Sequence, residues 1–239
     1  MKSTPEPSLV LWDIDHTLVR IAGVSREIYA EAFRLVTGQP LRELADMAGR
    51  TERAIIVDTL ILNGVPDPES RVDAFLPALG DAATKLRGRM REAGERLPGA
   101  QQAIAALVGT ATAQSVVTGN TRAIAVTKLE ALDLAEHIDF EVGGYGEDGA
   151  DRAVLVGLAI QRAEHKYGVR FDAHRVVVIG DTPHDIKGAH DHGAVAVGVA
   201  TGGSSAEELT AAGADVVLAD LTKLDALRHA VLDCIQGEG

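Results

Sequence analysis

Leu9-Val10-Leu11-Trp12-Asp13-Ile14-Asp15-His16-Thr17-Leu18 carries a short apolar run directly into two acids. Consecutive apolar side chains suit a strand buried on both faces, and the acids then fall where that strand ends. Side chains at i and i+2 of a strand point the same way, so Asp13 and Asp15 can face one cleft. The turn that follows exposes them to a ligand. One carboxylate can attack an electrophile while the other moves a proton, and together they form a hard oxygen site suited to Mg²⁺. Asp-rich strand ends are also ordinary turn chemistry, so the pair acquires a function only from the rest of the chain.

Further apolar, β-branched runs lie at 115–117, 176–179 and 195–199, with a weaker one at 216–218. Each is short and hydrophobic throughout, and helical patterns separate the later ones. This predicts an α/β fold with a mainly parallel sheet covered on both faces. Three of the runs lead into polar clusters: DIDHT, TGNT and GDTPHD. Ligands of open parallel sheets bind beyond the carboxyl ends of the strands, so the three clusters are expected to share one crevice.

The stretch 21–96 reads differently. It holds no convincing strand and shows helical spacing in Ile28, Ala32, Leu35 and Val36, then in Ile55, Ile56, Thr59 and Leu60, punctuated by Pro66, Pro68 and Pro77. It is expected to be an inserted α-helical cap, with 1–20 and 97–239 forming the core and Leu97-Pro98-Gly99 the return hinge. An insertion above the strand ends can act as a lid. The basic stretch Lys85, Arg87, Arg89, Arg91 and Arg96 is interrupted by Glu92 and Glu95, which suits a solvated helix surface.

Composition narrows the function classes. The 239 residues are 46% hydrophobic and 24% charged, as in an ordinary globular protein, and only 3% aromatic, so Ala, Val, Leu and Ile must build the core. A net charge of −12 argues against a general nucleic-acid binder, because phosphate backbones reward positive surface. A small phosphorylated substrate responds to local charge and stays admissible. Cys234 is the single cysteine, which leaves no disulfide or cysteine-based zinc site within the chain. The first residues, MKSTPEPS, read as a short mobile tail rather than a signal peptide, and no apolar run reaches the roughly 18 residues of a membrane span. A cytoplasmic protein without a membrane partner is the expectation; nothing in the sequence specifies an oligomeric state.

The clusters together suggest a division of labour. Asp13 is a candidate nucleophile and Asp15 a candidate general acid. Thr118, with the neighbouring N–H groups of Gly119 and Asn120, can hold phosphate oxygens. Asp181 and Asp185 add carboxylates for a cation. Four acids on one cleft repel one another, and Mg²⁺ would neutralise that charge and admit an anionic phosphate.

DIDHTL, TGNT and GDTPHDI, in this order and separation, resemble the haloacid dehalogenase superfamily of phosphohydrolases, and the helical segment resembles the cap of its phosphoglycolate-phosphatase-like members. The resemblance spans essentially the whole chain. It implies a Rossmann-like core and a Mg²⁺-dependent phosphatase acting on a small phosphomonoester. Asp13 would form an aspartyl-phosphate, and Asp15 would protonate the leaving oxygen and then activate water. Asp13, the backbone carbonyl of Asp15, Asp181 and Asp185 would hold the metal. The family's third motif is a basic residue, usually Lys followed by Pro; here the matching segment begins Asp151-Arg152-Ala153, so Arg152 stands for the lysine, with Lys128 as its competitor. Asp15 also points away from dehalogenation, since the dehalogenases of the superfamily lack an acid at this position.

Alternatives stay open. A sugar-phosphate phosphotransferase or mutase would share every core residue. A catalytically weakened binding protein would suit the altered third motif. A phosphoaspartate signalling module would explain neither the long cap nor Asp15. Gly49-Arg50-Thr51 can deliver Arg50 to a distal anion of the substrate, or simply start a helix with Thr51 as its cap. His16 and His184 flank the acids, whereas His190 and His192 suit surface or packing positions. Gly144 to Gly149 fits GxGxxG, but Glu147, Asp148 and Asp151 would repel a pyrophosphate, and a flexible loop is expected there. Thr201-Gly202-Gly203-Ser204-Ser205 reads as a turn and helix start at the rim.

Overall fold

The computed structural model describes residues 7–21, 23–47 and 50–233. The N-terminal tail up to residue 6, Gly49 of the Gly-Arg-Thr stretch and Cys234 lie outside the described residues.

The chain runs β1 (Ser8–Trp12), β2 (Val19–Ile21), α1 (Val24–Thr37), α2 (Glu52–Leu62), α3 (Val72–Lys85), α4 (Arg87–Ala93), β3 (Gly94–Arg96), α5 (Ala100–Ala106) and β4 (Thr112–Val116). It continues through α6 (Arg122–Ala131), α7 (Arg152–Tyr167), β5 (Val176–Gly180), α8 (Pro183–His190), β6 (Val195–Val199), α9 (Ala206–Ala211), β7 (Val216–Leu218) and α10 (Leu224–Arg228). The main sheet has five strands in the order β4-β1-β5-β6-β7, all parallel. Trp12 pairs with Val116 on one side and with Ile179 on the other, so β1, β4 and β5 end level with one another. That register brings the three polar clusters to one edge of the sheet.

Both faces of the sheet are covered, which is why β1, β5, β6 and β7 are apolar at nearly every position. Val10, Trp12, Val177, Ile179 and Val197 pack on one face with residues of α5, α6 and α10. Leu9, Leu11, Val176, Val178 and Ala196 pack on the other with α7, α8 and α9. Each such side chain contributes about 1.5–3 kcal/mol when fully buried. The indole N–H of Trp12 is satisfied by donating to Gln114 Oε1 at 3.1 Å.

β4 extends further than the apolar run at 115–117 implies, beginning at Thr112, because its polar residues find partners. The Gln114 amide donates to the Ile104 carbonyl, and the Ser115 hydroxyl donates to that of Asp139. Val117 lies past the strand in a bridge to Gly144.

The insertion is helical, with one difference at its root. β2 and β3 pair antiparallel, Val19 opposite Arg96 and Ile21 opposite Gly94, where no strand was expected. Three-residue strands carry too little pattern to be legible, and only their mutual pairing makes them strands. They form a two-stranded stem joining the cap to the core. Ile28, Tyr29, Phe33, Ile56, Leu60, Phe75 and Leu79 build a separate cap core, joined by Ile124 and Ala131 of α6. Leu35, expected on the buried face of α1, is 53% exposed. Pro77 lies inside α3 rather than between helices, while Pro66 and Pro68 do fall in the α2–α3 connection. The basic stretch is a solvated surface on which Lys85 pairs with Glu31, Arg87 with Glu130, Arg89 with Glu27 and Arg91 with Asp133, while Arg96 lies in β3 instead of a helix and donates to Gln101. None of the described helices is long and apolar enough to cross a membrane.

Candidate active site

A cavity of about 880 Å³ opens where β1, β4 and β5 end, between the core and the cap. Asp13, Asp15, Thr118, Gly119, Asn120, Lys128, Arg152, Asp181 and the cap residue Arg50 all line it. Asp185 stands behind, 1% exposed.

Asp13 follows β1 directly, its N–H donating to the Ile179 carbonyl at 2.8 Å. The chain then turns tightly: Leu18 and Val19 both donate to the carbonyl of Ile14. His16 takes a φ of 64°, a left-handed conformation that a side chain with a Cβ rarely adopts. Its N–H donates to Val19, and its carbonyl accepts from the Thr201 hydroxyl at 2.6 Å, which ties the turn to the loop after β6. The Thr17 hydroxyl, fully buried, lies 3.3 Å from Asp13 Oδ2 and 3.4 Å from Asp181 Oδ1. Thr17 is a site residue missed in the sequence, although it is the third element of DxDxT.

Asp13, Asp181 and Asp185 bring carboxylate oxygens within 4.8 Å of one another, all three buried. Burial, reinforced by repulsion from Asp185, pushes Asp13 well above the usual carboxylate range; Arg152 opposes this. Burial and Asp185 likewise lift Asp181 to about 7. Asp185 is held by the capping box of α8, its Oδ2 accepting from the N–H and hydroxyl of Thr182. Its Oδ1 is buried without a hydrogen-bond partner, although Arg152 Nε approaches to 3.1 Å at an angle that gives an ion pair only. Crowded, all-oxygen and anionic, this donor set fits a hard divalent cation such as Mg²⁺. Two glycines make room for it: a Cβ at Gly202 would lie 1.7 Å from Asp181 Oδ2, and one at Gly180 would lie 2.3 Å from Asp185 Cγ.

Arg152 and Lys128 both reach the site and hold different acids. Arg152 opens α7 and sets Nη1 at 3.4 Å from Asp13 Oδ1, while also donating to the Val117 carbonyl. Lys128, on α6 and 3% exposed, donates to both Asp15 oxygens at 2.7 Å and to Asn120 Oδ1 at 2.9 Å. Asn120 Nδ2 donates to Asp15 Oδ2 at 2.6 Å. Burial pushes the Asp15 carboxyl up, but Lys128 and Asn120 outweigh it and hold the group below its ordinary value. Thr118, 1% exposed, accepts at its hydroxyl from the N–H and side chain of Asn120.

The cap meets this loop through backbone. Glu52 N–H donates to the Gly119 carbonyl at 2.8 Å, and a Cβ on Gly119 would stand 2.1 Å from the Arg50 carbonyl. Thr51 is the residue before α2, as its helix-start reading expects, but its side chain makes no capping bond. The Arg50 guanidinium reaches the cavity wall with one nitrogen 2.6 Å from Asp58. Glu52, which no sequence signal singled out, is buried and accepts from the Tyr29 hydroxyl at 2.7 Å. His16 and His184 line the cavity; His190 pairs with Asp215, and His192 contacts the Ala153 carbonyl. Residues 201–204, expected to be a plain turn, line the cavity as well. The loop from Gly144 to Gly149 is braced rather than flexible, since Asp148 accepts from Tyr145 N–H and pairs with Arg162. Gly146 is needed there, because its Cβ would meet the Gly119 carbonyl oxygen at 1.7 Å.

Comparison with known proteins identifies the family. A family model for haloacid dehalogenase-like hydrolase matches residues 10–190, well over half of the chain. A phosphoglycolate phosphatase of Agrobacterium fabrum (strain C58 / ATCC 33970) is 26% identical over 207 residues, covering 84% of each protein. Among solved structures, a hydrolase from Pseudomonas syringae superposes with a TM-score of 0.62 at 22% identity, over 94% of this chain and 97% of that one. A putative beta-phosphoglucomutase from Thermotoga maritima shares the fold at a TM-score of 0.57 and 17% identity, over 93% and 99% of the two chains. The chain belongs to the haloacid dehalogenase-like hydrolases, with an α/β core and an inserted helical cap.

Proposed function

We propose that this protein is a Mg²⁺-dependent phosphatase that hydrolyses a small phosphomonoester through a phosphorylated Asp13. The observation that carries the proposal is the convergence of Asp13, Asp15, Thr118 and Asp181 on a single cavity roofed by the cap. Asp13, Asp181 and Asp185, with the backbone carbonyl of Asp15, would hold the cation. When bound, Mg²⁺ supplies positive charge that lets an anionic ester approach an anionic nucleophile.

The Asp13 carboxylate attacks phosphorus, an Asp13 O–P bond forms, and the ester P–O bond breaks. Asp15 gives a proton to the departing oxygen. Lys128 and Asn120 keep Asp15 ionised at rest, and a phosphoryl dianion entering beside it raises the carboxyl again by like-charge repulsion. Asp15 then takes a proton from the water that attacks the aspartyl-phosphate, releasing phosphate and restoring Asp13. Thr118 and the N–H groups of Gly119 and Asn120 hold phosphoryl oxygens, whose equatorial charge needs fixed donors. Arg152 keeps Asp13 oriented and adds positive charge. The cap, taken as residues 21–96, would exclude bulk water and select the alcohol. The substrate is a small phosphorylated metabolite of the cytoplasm.

The test is phosphate release from a panel of small phosphomonoesters, with Mg²⁺ and with chelator, beside an Asp13→Asn control. Mg²⁺-dependent turnover that the control lacks is the expected result. No turnover by folded, Mg²⁺-loaded protein across a broad panel overturns the proposal.

A further inference from the structure

Among the described residues, four Lys and Arg side chains line the cavity, and each is paired with a carboxylate of this chain. Arg20 pairs with Glu95, Arg50 with Asp58, Lys128 with Asp15, and Arg152 with Asp13 and Asp185. Of the lining carboxylates, Asp13 and Asp181 belong to the candidate cation site, and Asp15 is held by Lys128. Glu52 is the remaining one. It is 2% exposed, and no ion pair is formed by it among the described residues. Its carboxylate accepts from the Tyr29 hydroxyl and the Thr121 N–H, and its own N–H donates to the Gly119 carbonyl. The acid is thus fixed to the loop that holds Thr118 and Asn120, on the cap side of the cavity.

The alcohol of an ester seated on Thr118 and Asn120 would extend toward the cap, where Glu52 lines the cavity. Glu52 feels the charge of Lys128, which is bonded to Asp15, but forms no ion pair itself; a buried acid so placed is stabilised by a further donor, above all a positive one, and repels a second carboxylate. We infer that Glu52 is a specificity-determining residue that selects phosphomonoesters whose alcohol carries an ammonium group and rejects those whose alcohol carries a carboxylate. The inference rests on the phosphatase proposal for its choice of ligand class, and it names the alcohol that proposal leaves open. It also separates this chain from a phosphoglycolate-type substrate, since a carboxylate would stand against Glu52.

The test measures binding, so that it stands apart from turnover. O-Phosphoethanolamine and phosphoglycolate, two esters of similar length and opposite terminal charge, are titrated calorimetrically into Mg²⁺-loaded Asp13→Asn protein. Work at about pH 8 keeps Glu52 ionised, because burial lifts its carboxyl to about 7. The ammonium ester is expected to bind at least about tenfold more tightly. Adding Glu52→Gln should bring the two affinities within about twofold of each other. Equal or reversed affinities in the Asp13→Asn protein, or no binding of the ammonium ester, overturn the inference whether or not the Glu52 variant folds. Phosphate release from the same broad panel of phosphomonoesters by the unmodified enzyme is followed in parallel. Turnover with reversed preference defeats the specificity inference alone, and retained preference without turnover supports it while defeating the phosphatase proposal.

Discussion

Lys128 Nζ lies 2.7 Å from both carboxylate oxygens of Asp15, although the two residues are 113 positions apart in the chain. The lysine is buried and the acid is partly open to the cavity, with side-chain exposures of 3% and 38%. Lys128 therefore sets the protonation and direction of the group proposed to serve leaving oxygen and water. Lys128→Met should lower kcat by about 10²-fold, the scale of one positioned acid–base group. Steady-state kinetics on the best ester checks this, and a kcat within threefold of the parent would deny the lysine that role.

Gly202 leaves the space that Asp181 occupies, with a Cβ there only 1.7 Å from Oδ2, whereas a Cβ on Gly203 meets nothing within 4 Å. Gly202→Ala should push Asp181 aside and weaken Mg²⁺ binding by about tenfold or more, roughly 1.4 kcal/mol. Gly203→Ala should leave the affinity within about twofold. Calorimetric titration with Mg²⁺ compares them, and equal affinities would remove Asp181 from the ligand set.

Asp13, Asp181 and Asp185 crowd three acids in a buried space, and a bound cation relieves that repulsion in the folded state only. Mg²⁺ at about 100 times its dissociation constant should stabilise the fold by roughly 2.7 kcal/mol. Thermal or denaturant unfolding with Mg²⁺ and with chelator reports the difference. Asp181→Asn should abolish most of it; a chelator-insensitive parent protein would mean that the cluster holds no such ion.

Glu52 gives a pH dependence of stability with a definite sign. Burial, partly opposed by the Tyr29 hydrogen bond, raises its carboxyl from its ordinary 4.5 to about 7. Between those values the folded state keeps a proton that the unfolded chain has released, so stability is full below the lower value and is lost as pH rises through the upper one. The loss is roughly 3 kcal/mol at most. Glu52→Gln cannot lose it. Denaturant unfolding at about pH 5 and about pH 8 should therefore show a smaller difference for the variant than for the parent, and parallel pH profiles would contradict the burial argument.

The main-sheet strands were legible because β1, β5, β6 and β7 are short apolar runs suited to a doubly covered sheet, and β4, polar at Thr112, Gln114 and Ser115, was legible only at its carboxyl end. Asp13, Asp15, Thr118 and Asp181 were legible because they follow such runs directly, and parallel strands of matched register must end together. The stem of β2 and β3 escaped notice, since three residues form no pattern and only pairing across the whole cap defines them. Lys128 and Arg152 could be named from the sequence as rivals for one role; the folded chain gives each its own acid. Thr17 and Glu52 gained their places through neighbours distant in sequence, Asp181 and Tyr29. The sequence by itself determined which elements form and which acids stand at their ends, because burial period and strand direction are local properties. Which charge neutralises which acid was decided only by the tertiary structure, because electrostatic pairing depends on distance in space and not on separation along the chain.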